Sequence, residues 1–348
     1  MNPHRKSLKE LFIRNRIRFL LLLSLFLILA GGGIGVIGYA VGGFHPNIFY
    51  ADYGEAPATI KTDSFDPSIR EIRIDLASDN ILIRQSDSHS VNAVYNDSFF
   101  ACEDDGEELR ISARRHQETI SFWQRWYRVV NFNTQPNHDG LLIEIPEKFS
   151  GTLRVNSDHG HLIIDNLDTK ADIALKSNSG NIELYDVTAQ GDPSIQMRHG
   201  NLSIQQSYFA QSLDINNESG SLTLESVESK QLRITGDHIN CQLAQVTGDS
   251  LEIKTESTNT DLSNVIMQDR IHFRSNHGNL LAEGIFSPNM ALFAKSGNLY
   301  VNIAGSKFDY DHIYKIDDWR LEEDRHLSGG KVFIYGSDHG TAEIDFDK

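Results

Sequence analysis

The chain has 348 residues, 39% of them hydrophobic and 23% charged, which is the composition of a folded protein with a sizeable core and excludes a mainly disordered one. Its formal net charge is -16, and because Arg5, Lys6, Lys9, Arg14, Arg16 and Arg18 face a single Glu10 at the N-terminus, the remainder is more acidic still. Nucleic acid is therefore excluded as a partner for that remainder, since phosphate binding needs clustered Lys and Arg. The two cysteines, Cys102 and Cys241, cannot staple a domain of this size.

After the basic tail (1–18), the run Phe19 to Val41 carries no charge. As a helix it would span about 35 Å, enough to cross a bilayer. The basic residues precede it and the next Lys or Arg is Lys61, so the expected topology is N-terminus cytoplasmic, C-terminal region extracellular. A cleaved signal peptide is the alternative for the Leu-rich part and the "LAGGG" that follows. Gly31/Gly35 and Gly38/Gly42 form GxxxG pairs through which two such helices could associate into a homo-oligomer. Residues 42–66, with Pro46 and Pro57, read as an extracellular spacer.

From residue 67 onward the pattern is that of strands. "IREIRIDLASDNILIRQSD" (69–87) reads as strand, corner, strand, with Leu76, Ile81 and Ile83 facing inward. Residues 98–137 interrupt this pattern with an aromatic insertion that holds Trp123, Arg125, Trp126, Tyr127 and Arg128. The expected role is a cap over the first coil; the alternative is a partner-binding surface at a membrane interface or on sugars. "LLIEIPEKFSGTLRV" (141–155) restores the alternation, and Pro146 is expected to end its strand.

Then a repeat sets in. Gly160, Gly180, Gly200 and Gly220 are spaced by twenty, the register continues through Ile239 and Thr258 to Gly278 and Gly297, and a last copy stands at Gly340. Relative to each corner residue, aliphatic side chains recur at minus seven, minus five, plus two, plus four and often plus seven. Around Gly180 these are Ile173, Leu175, Ile182, Leu184 and Val187; around Gly220 they are Leu213, Ile215, Leu222, Leu224 and Val227; around Ile239 they are Leu232, Ile234, Cys241, Leu243 and Val246. One copy buries too few side chains to offset the ordering of its backbone, so copies must stack. The fold class is all-β, a single-domain parallel β-solenoid over 67–348 with coils of about twenty residues, regular over 150–304. A second, acidic insertion (305–330) is read as a C-terminal cap.

The corner carries two further periodicities. The residue before it alternates as His159, Ser179, His199, Ser219, His238, Ser257, His277, Ser296, with His339 at the last copy; the residue after it is Asn181, Asn201, Asn240, Asn259, Asn279 and Asn298. Histidines two coils apart would sit about 9 to 10 Å from one another, too far to share an ion held at a metal–nitrogen distance of roughly 2.1 Å. Ring crowding relieved by the smaller Ser, and a stacked amide ladder, are the expected roles. No metal or cofactor is implied. Carboxylates such as Asp165, Asp168, Asp172, Glu183 and Asp186 are explained by a solvated acidic face, and no G-x-S-x-G, H-E-x-x-H or P-loop string occurs.

The basic patch, the apolar run, the "IDLASDNILIRQSD" entry, the "IEIP" strand end and the serial "SGNIEL"-type coils together resemble the bacterial "putative adhesin" domain family of unknown function over residues 67 to 304. The resemblance implies a β-solenoid exposed at the cell surface, in some members membrane-anchored and associated with envelope-stress systems of Gram-positive bacteria, and it brings no catalytic residues. The functional expectation is a non-enzymatic, membrane-anchored surface module that binds an envelope protein or glycan. A carbohydrate-active β-helix enzyme and a structural envelope spacer are the alternatives.

Overall fold

A computed structural model describes residues 60–66, 68–97, 99–114, 140–147, 149–314 and 331–347. The chain divides into two compact units, Met1–Pro57 and Ala58–Lys348, and the account below concerns the second. The basic tail and the apolar run 19–41 lie outside the described residues, among which no helix is long and apolar enough to cross a membrane.

The described region is all-β. Its first strand, β1 (Ile60–Phe65), falls in what the sequence suggested was spacer. Strands β2 (Glu71–Leu76) and β3 (Ile81–Ser86) form two sides of the entry coil, and Leu76, Ile81 and Ile83 are buried as their alternation required. β4 (Val91–Asn96), β5 (Phe100–Asp104), β6 (Glu108–Ala113) and β7 (Leu141–Pro146) all lie on the N-terminal side of that coil. β6 runs parallel to β2, with Ile111 beside Ile74, and β7 runs parallel to β3, with Ile143 beside Ile83. The two are therefore sides of one more coil, whose chain departs after Ala113 and returns at Leu141. Part of the aromatic insertion is thus ordinary solenoid wall, a point its broken period concealed. β4 pairs antiparallel with β7, β1 with β4, and β5 with β6, so both sheets end in reversed strands.

On the other face of the entry coil the regular repeat begins. β8 (Thr152–Thr169) stacks on β2 and β3, placing Leu153 beside Ile72 and Leu162 beside Ile81. β9 (Asp172–Ala189), the long winding β10 (Ser194–Ser263), β11 (Ile266–His277), β12 (Leu280–Ile285), β13 (Asn289–Ser296) and β14 (Leu299–Ile303) follow in parallel register. Leu153 lies beside Ile173, Leu175 beside Ile195, Leu251 beside Ile271 and Ile271 beside Met290, the pairing offset being the repeat length itself. Every aliphatic residue named for the Gly180, Gly220 and Ile239 copies is buried, Cys241 among them, and its thiol is pushed upward in pKa by that burial. Each such Leu or Ile stabilises the stack by about 1.5–3 kcal/mol.

Two corners shape each coil. At the first, a Cβ on Gly200 would stand 1.9 Å from the Gly180 carbonyl oxygen, and Gly200 has φ +138°, so coils can stack there only if the side chain is absent. Ile239 interrupts the glycine column by turning its side chain into the core, where Gly236 leaves the space it occupies. The second corner was not anticipated. Asn166, Asp186, Gln206, Ser226, Gln245 and Asn264 all have φ between 49° and 56°, and Gly284, at 64°, continues the column. That left-handed residue lets two consecutive side chains face solvent before Leu167, Val187, Val227 or Val246 turns back inward.

At the C-terminal end, the short turn Lys307–Asp309 leads into β15 (Tyr310–Tyr314), which lies outside β16 (Lys331–His339) in a parallel pair. β16 covers β13, and β17 (Ala342–Phe346) covers β14. Phe333 stacks on Tyr335 at 4.9 Å and meets the Phe346 ring edge-on at 6.4 Å.

Candidate functional site

The first corner recurs in every coil of the regular repeat, and it brings together three columns of polar side chains. Parallel register sets His159 and His199 on either side of Ser179, and His277 and His339 on either side of Ser296. All five histidines of this column are exposed, whereas Ser219, Ser257 and Ser296 are half-buried. The column thus alternates an exposed imidazole with a smaller hydroxymethyl group from one coil to the next. Among the described residues no three His, Cys, Asp or Glu side chains come together in a way that could hold a metal ion.

Beside the histidines runs the amide column. Asn201 donates from its Nδ2 and its backbone N–H to Asn181 Oδ1, both at 3.2 Å, and its own Oδ1 accepts from Ser221 N–H at 3.3 Å and from the Ser221 hydroxyl. Asn279 donates to Asn259 at 3.2 Å, Asn279 Oδ1 accepts from Asn298 N–H at 3.0 Å, and Asn298 Oδ1 accepts from Thr341 N–H at 3.0 Å. Asn240 stands exposed in the same column. The ladder is therefore partly side chain to backbone, which also satisfies amide groups that the corner would otherwise leave open. A third column precedes the histidines and mixes charged with amide side chains. Asn178 donates to Asp158, Asn276 donates to Glu256, and Arg198 pairs with Glu218 at 3.6 Å.

The carboxylates elsewhere are solvated or paired. Asp165 is half-buried, Asp168, Asp172, Glu183 and Asp186 are exposed, and His161 Nε2 lies 2.9 Å from Glu183. Glu252 is partly buried, which raises its pKa, but Lys254 and Arg233 more than offset this and hold it below the ordinary range. Hydrogen bonds from Ser212 lower Asp192 in the same way. Such groups stay ionised at neutral pH, whereas a general acid needs a raised pKa. A shallow polar depression of about 340 Å³ opens near the N-terminal end between Arg70, Ser150, Thr152 and Lys170.

Trp123, Arg125, Trp126, Tyr127 and Arg128, the residues the sequence put forward for partner binding, lie outside the described residues. The structure adds a polar cluster that sequence reasoning missed. The Tyr95 hydroxyl, reaching in from β4, donates to Asp63 of β1 at 2.5 Å and lies close to Cys102 of β5. Burial pushes the Cys102 thiol up to about 11 against the lowering effect of Tyr95, so it stays protonated and unreactive. No sequence signal marked this cluster, because Asp63 takes a core-side position only through the pairing of β1 with β4.

Comparison with known proteins places this architecture. No curated protein matches the sequence. Among solved structures, a "putative lipid binding protein" from Parabacteroides distasonis ATCC 8503 aligns over 84% of this chain and 98% of its own at 13% identity, with a TM-score of 0.34. A "putative cell adhesion protein" from Clostridium sporogenes ATCC 15579 aligns over 83% of this chain and 100% of its own at 9% identity, with a TM-score of 0.25. Similarity at that level carries no functional inference. The family model Toastrack DUF4097 matches residues 69–263, from the entry coil through the end of β10 and thus over half of the chain. The chain belongs to the Toastrack DUF4097 family.

Proposed function

We propose that this protein is a non-catalytic surface module, held by a single membrane helix at 19–41 with its N-terminus in the cytoplasm, that presents the solenoid outside the cell to an envelope protein or glycan. The observation that carries this reading is the first-corner ridge: exposed His side chains from His159 to His339, alternating with Ser and flanked by an Asn column, repeated once per coil. A repeating polar ridge suits an extended ligand that meets the same donors and acceptors coil after coil. The charge distribution of the N-terminal segment supports the orientation.

The test has two parts. In intact cells an impermeant thiol reagent should label a cysteine placed at exposed Ser179 and leave one placed at Ser7 unlabelled; the reverse pattern rejects the topology. Envelope extracts and a glycan array should then be compared between the native chain and a variant with His159, His199 and His238 changed to Gln. A binder retained equally by both, at unchanged melting temperature, would remove the ridge from consideration. Association of two copies through Gly31/Gly35 and Gly38/Gly42 is part of the same proposal, and changing Gly35 and Gly38 to Leu should abolish crosslinking between copies.

A further inference from the structure

Two neighbouring coils in the middle of the stack depart from the pattern of the second corner. The residue just before the left-handed one is Asp165, Gln205, Glu225, Ala244 or Ser263 in other coils but Tyr185 in one, and the residue two places after it is Asp168, Thr188, Glu228, Thr247 or Ile266 but Tyr208 in the next coil. Tyr185 is 45% and Tyr208 42% exposed. Register sets Gln205 beside Tyr185 and Tyr208 beside Thr188, so the two tyrosines flank one corner from opposite sides, one coil apart. Their Cα atoms are then at most about 12 Å apart. Between them lie Asp186 and Gln206, both left-handed and exposed, with Thr188 and Gln205 half-buried. The frame beneath is cross-linked. Where the other coils turn Leu167, Val187, Val227, Val246 or Val265 inward, Ser207 is 3% exposed, and its hydroxyl donates to the Gln205 carbonyl at 2.8 Å and accepts from Val187 N–H at 3.2 Å. Phe209, fully buried beside Ala189, supplies the apolar bulk two residues later.

We propose that Tyr185 and Tyr208 form a binding site for a neutral oligosaccharide, with one aromatic ring under each of two sugar units of a chain that crosses the corner. A pyranose face presents C–H groups that pack on an aromatic face, while the hydroxyls at its rim need donors and acceptors. Asp186, Thr188, Gln205 and Gln206 supply both kinds. The ligand is uncharged: Asp186 and the exposed Glu228 of the following coil repel phosphate and uronate groups, and neither 183–190 nor 203–210 contains a Lys or Arg to hold them. Ser207, tying the two coils together under the rings, fixes their spacing before the ligand arrives, so little order has to be gained on binding. The site lies on a different corner from the histidine ridge and does not depend on that ridge or on the membrane topology.

The test uses the full chain in micelles of a detergent without a sugar headgroup, titrated calorimetrically with cello-, malto-, manno-, xylo- and N-acetylchitotetraose, beside tetragalacturonate as the charged control. The expected result is binding of at least one neutral tetrasaccharide and none of the galacturonate. Tyr185→Ala and Tyr208→Ala should each weaken that binding at least tenfold at unchanged melting temperature, because both side chains face solvent. Tyr185→Phe and Tyr208→Phe should stay within about twofold of the native chain, which separates stacking on the ring from a bond to the hydroxyl. Tyr300→Ala, an exposed tyrosine on another coil, should change nothing, and neither should Gln in place of His159, His199 and His238. Failure of every neutral tetrasaccharide to bind would overturn the proposal, as would binding indifferent to both alanine variants. Loss of binding in the histidine variant would move the site to the first corner. An envelope protein retained by the native chain and lost from the double alanine variant, with no tetrasaccharide bound, would replace the sugar by a protein partner.

Discussion

The two ends of the solenoid face the same problem and solve it differently. At the N-terminal end both edge strands run against their neighbours, and their core-side rows mix apolar with polar residues: Lys61, Asp63 and Phe65 on β1, Phe100, Cys102 and Asp104 on β5. The Tyr95 hydroxyl donates to Asp63 of the neighbouring strand and lies close to Cys102 of β5, so a polar cluster sits at the top of the core. At the C-terminal end β17 keeps the parallel direction of the stack and keeps aliphatic residues on the core side. Strand reversal and inward polar groups stop a sheet from growing; a parallel edge with an apolar inner row leaves the template intact. Among the described residues, the N-terminal edges are reversed strands and β17 is a continuation of the stack's direction.

The largest effect should separate them directly. Phe100, fully buried in β5, anchors the N-terminal cap, and Phe100→Ala should cost about 3–5 kcal/mol in urea unfolding. Ile344→Ala at the other end should cost well under half as much, since its side chain has lost only part of its contact with water. Similar losses at both sites would show that the C-terminal edge is covered after all. Next is the corner itself: Gly200→Ala forces a side chain onto the Gly180 carbonyl and strains a left-handed backbone, for about 1–3 kcal/mol, because coils above and below hold it in place. Gly340→Ala meets an equally close Gly297 carbonyl, 1.9 Å away, but its backbone lies outside the left-handed region that strains Gly200→Ala. Its expected cost is smaller, and a cost as large as at Gly200 would mean the last coil is as constrained as the middle ones.

Lys61→Val with Asp63→Val makes the N-terminal edge resemble the C-terminal one. It removes the acceptor of the buried Tyr95 hydroxyl, for about 1–2 kcal/mol, and in light scattering the variant domain should self-associate more than the native one. A variant that stays monomeric would show that strand direction alone closes this end.

What the sequence made legible follows from period. Strand alternation and the spacing of the corner residues gave the coil length, the inward residues, the glycine column and the amide ladder, because each is written once per coil and so repeated many times. The second corner was present as an odd three-residue step from Leu184 to Val187 and from Leu224 to Val227, but the left-handed position between is filled in turn by Asn, Asp, Gln and Ser and has no single residue to mark it. The ends were least legible. Residues 108–113 read as insertion because their partner β7 is 33 positions further on, from Glu108 to Leu141, instead of half a coil away. Asp63 could not be placed on a core face until β1 was known to pair with β4.

The smallest expected effect tests whether the open end also loosens the ladder. Asn201 and Asn298 make the same kind of bond, each accepting from the backbone of the next coil, at Ser221 and Thr341 respectively. Removing an exposed hydrogen bond of this type costs about 0.5–1.5 kcal/mol in either place. The consequence should nonetheless differ. Ser221 belongs to a continuous strand held between two further coils, so Asn201→Ala ought to leave its amide nearly as protected as before in native-state hydrogen exchange. Thr341 leads directly into β17, whose pairing is with β14 on one side. In Asn298→Ala the amides from Thr341 to Phe346 should exchange together and faster by roughly the factor of ten that corresponds to 1.4 kcal/mol. If both variants instead raise exchange only at the single amide that lost its acceptor, β17 is held as firmly as any inner strand, and the end described as a continuation is in fact closed.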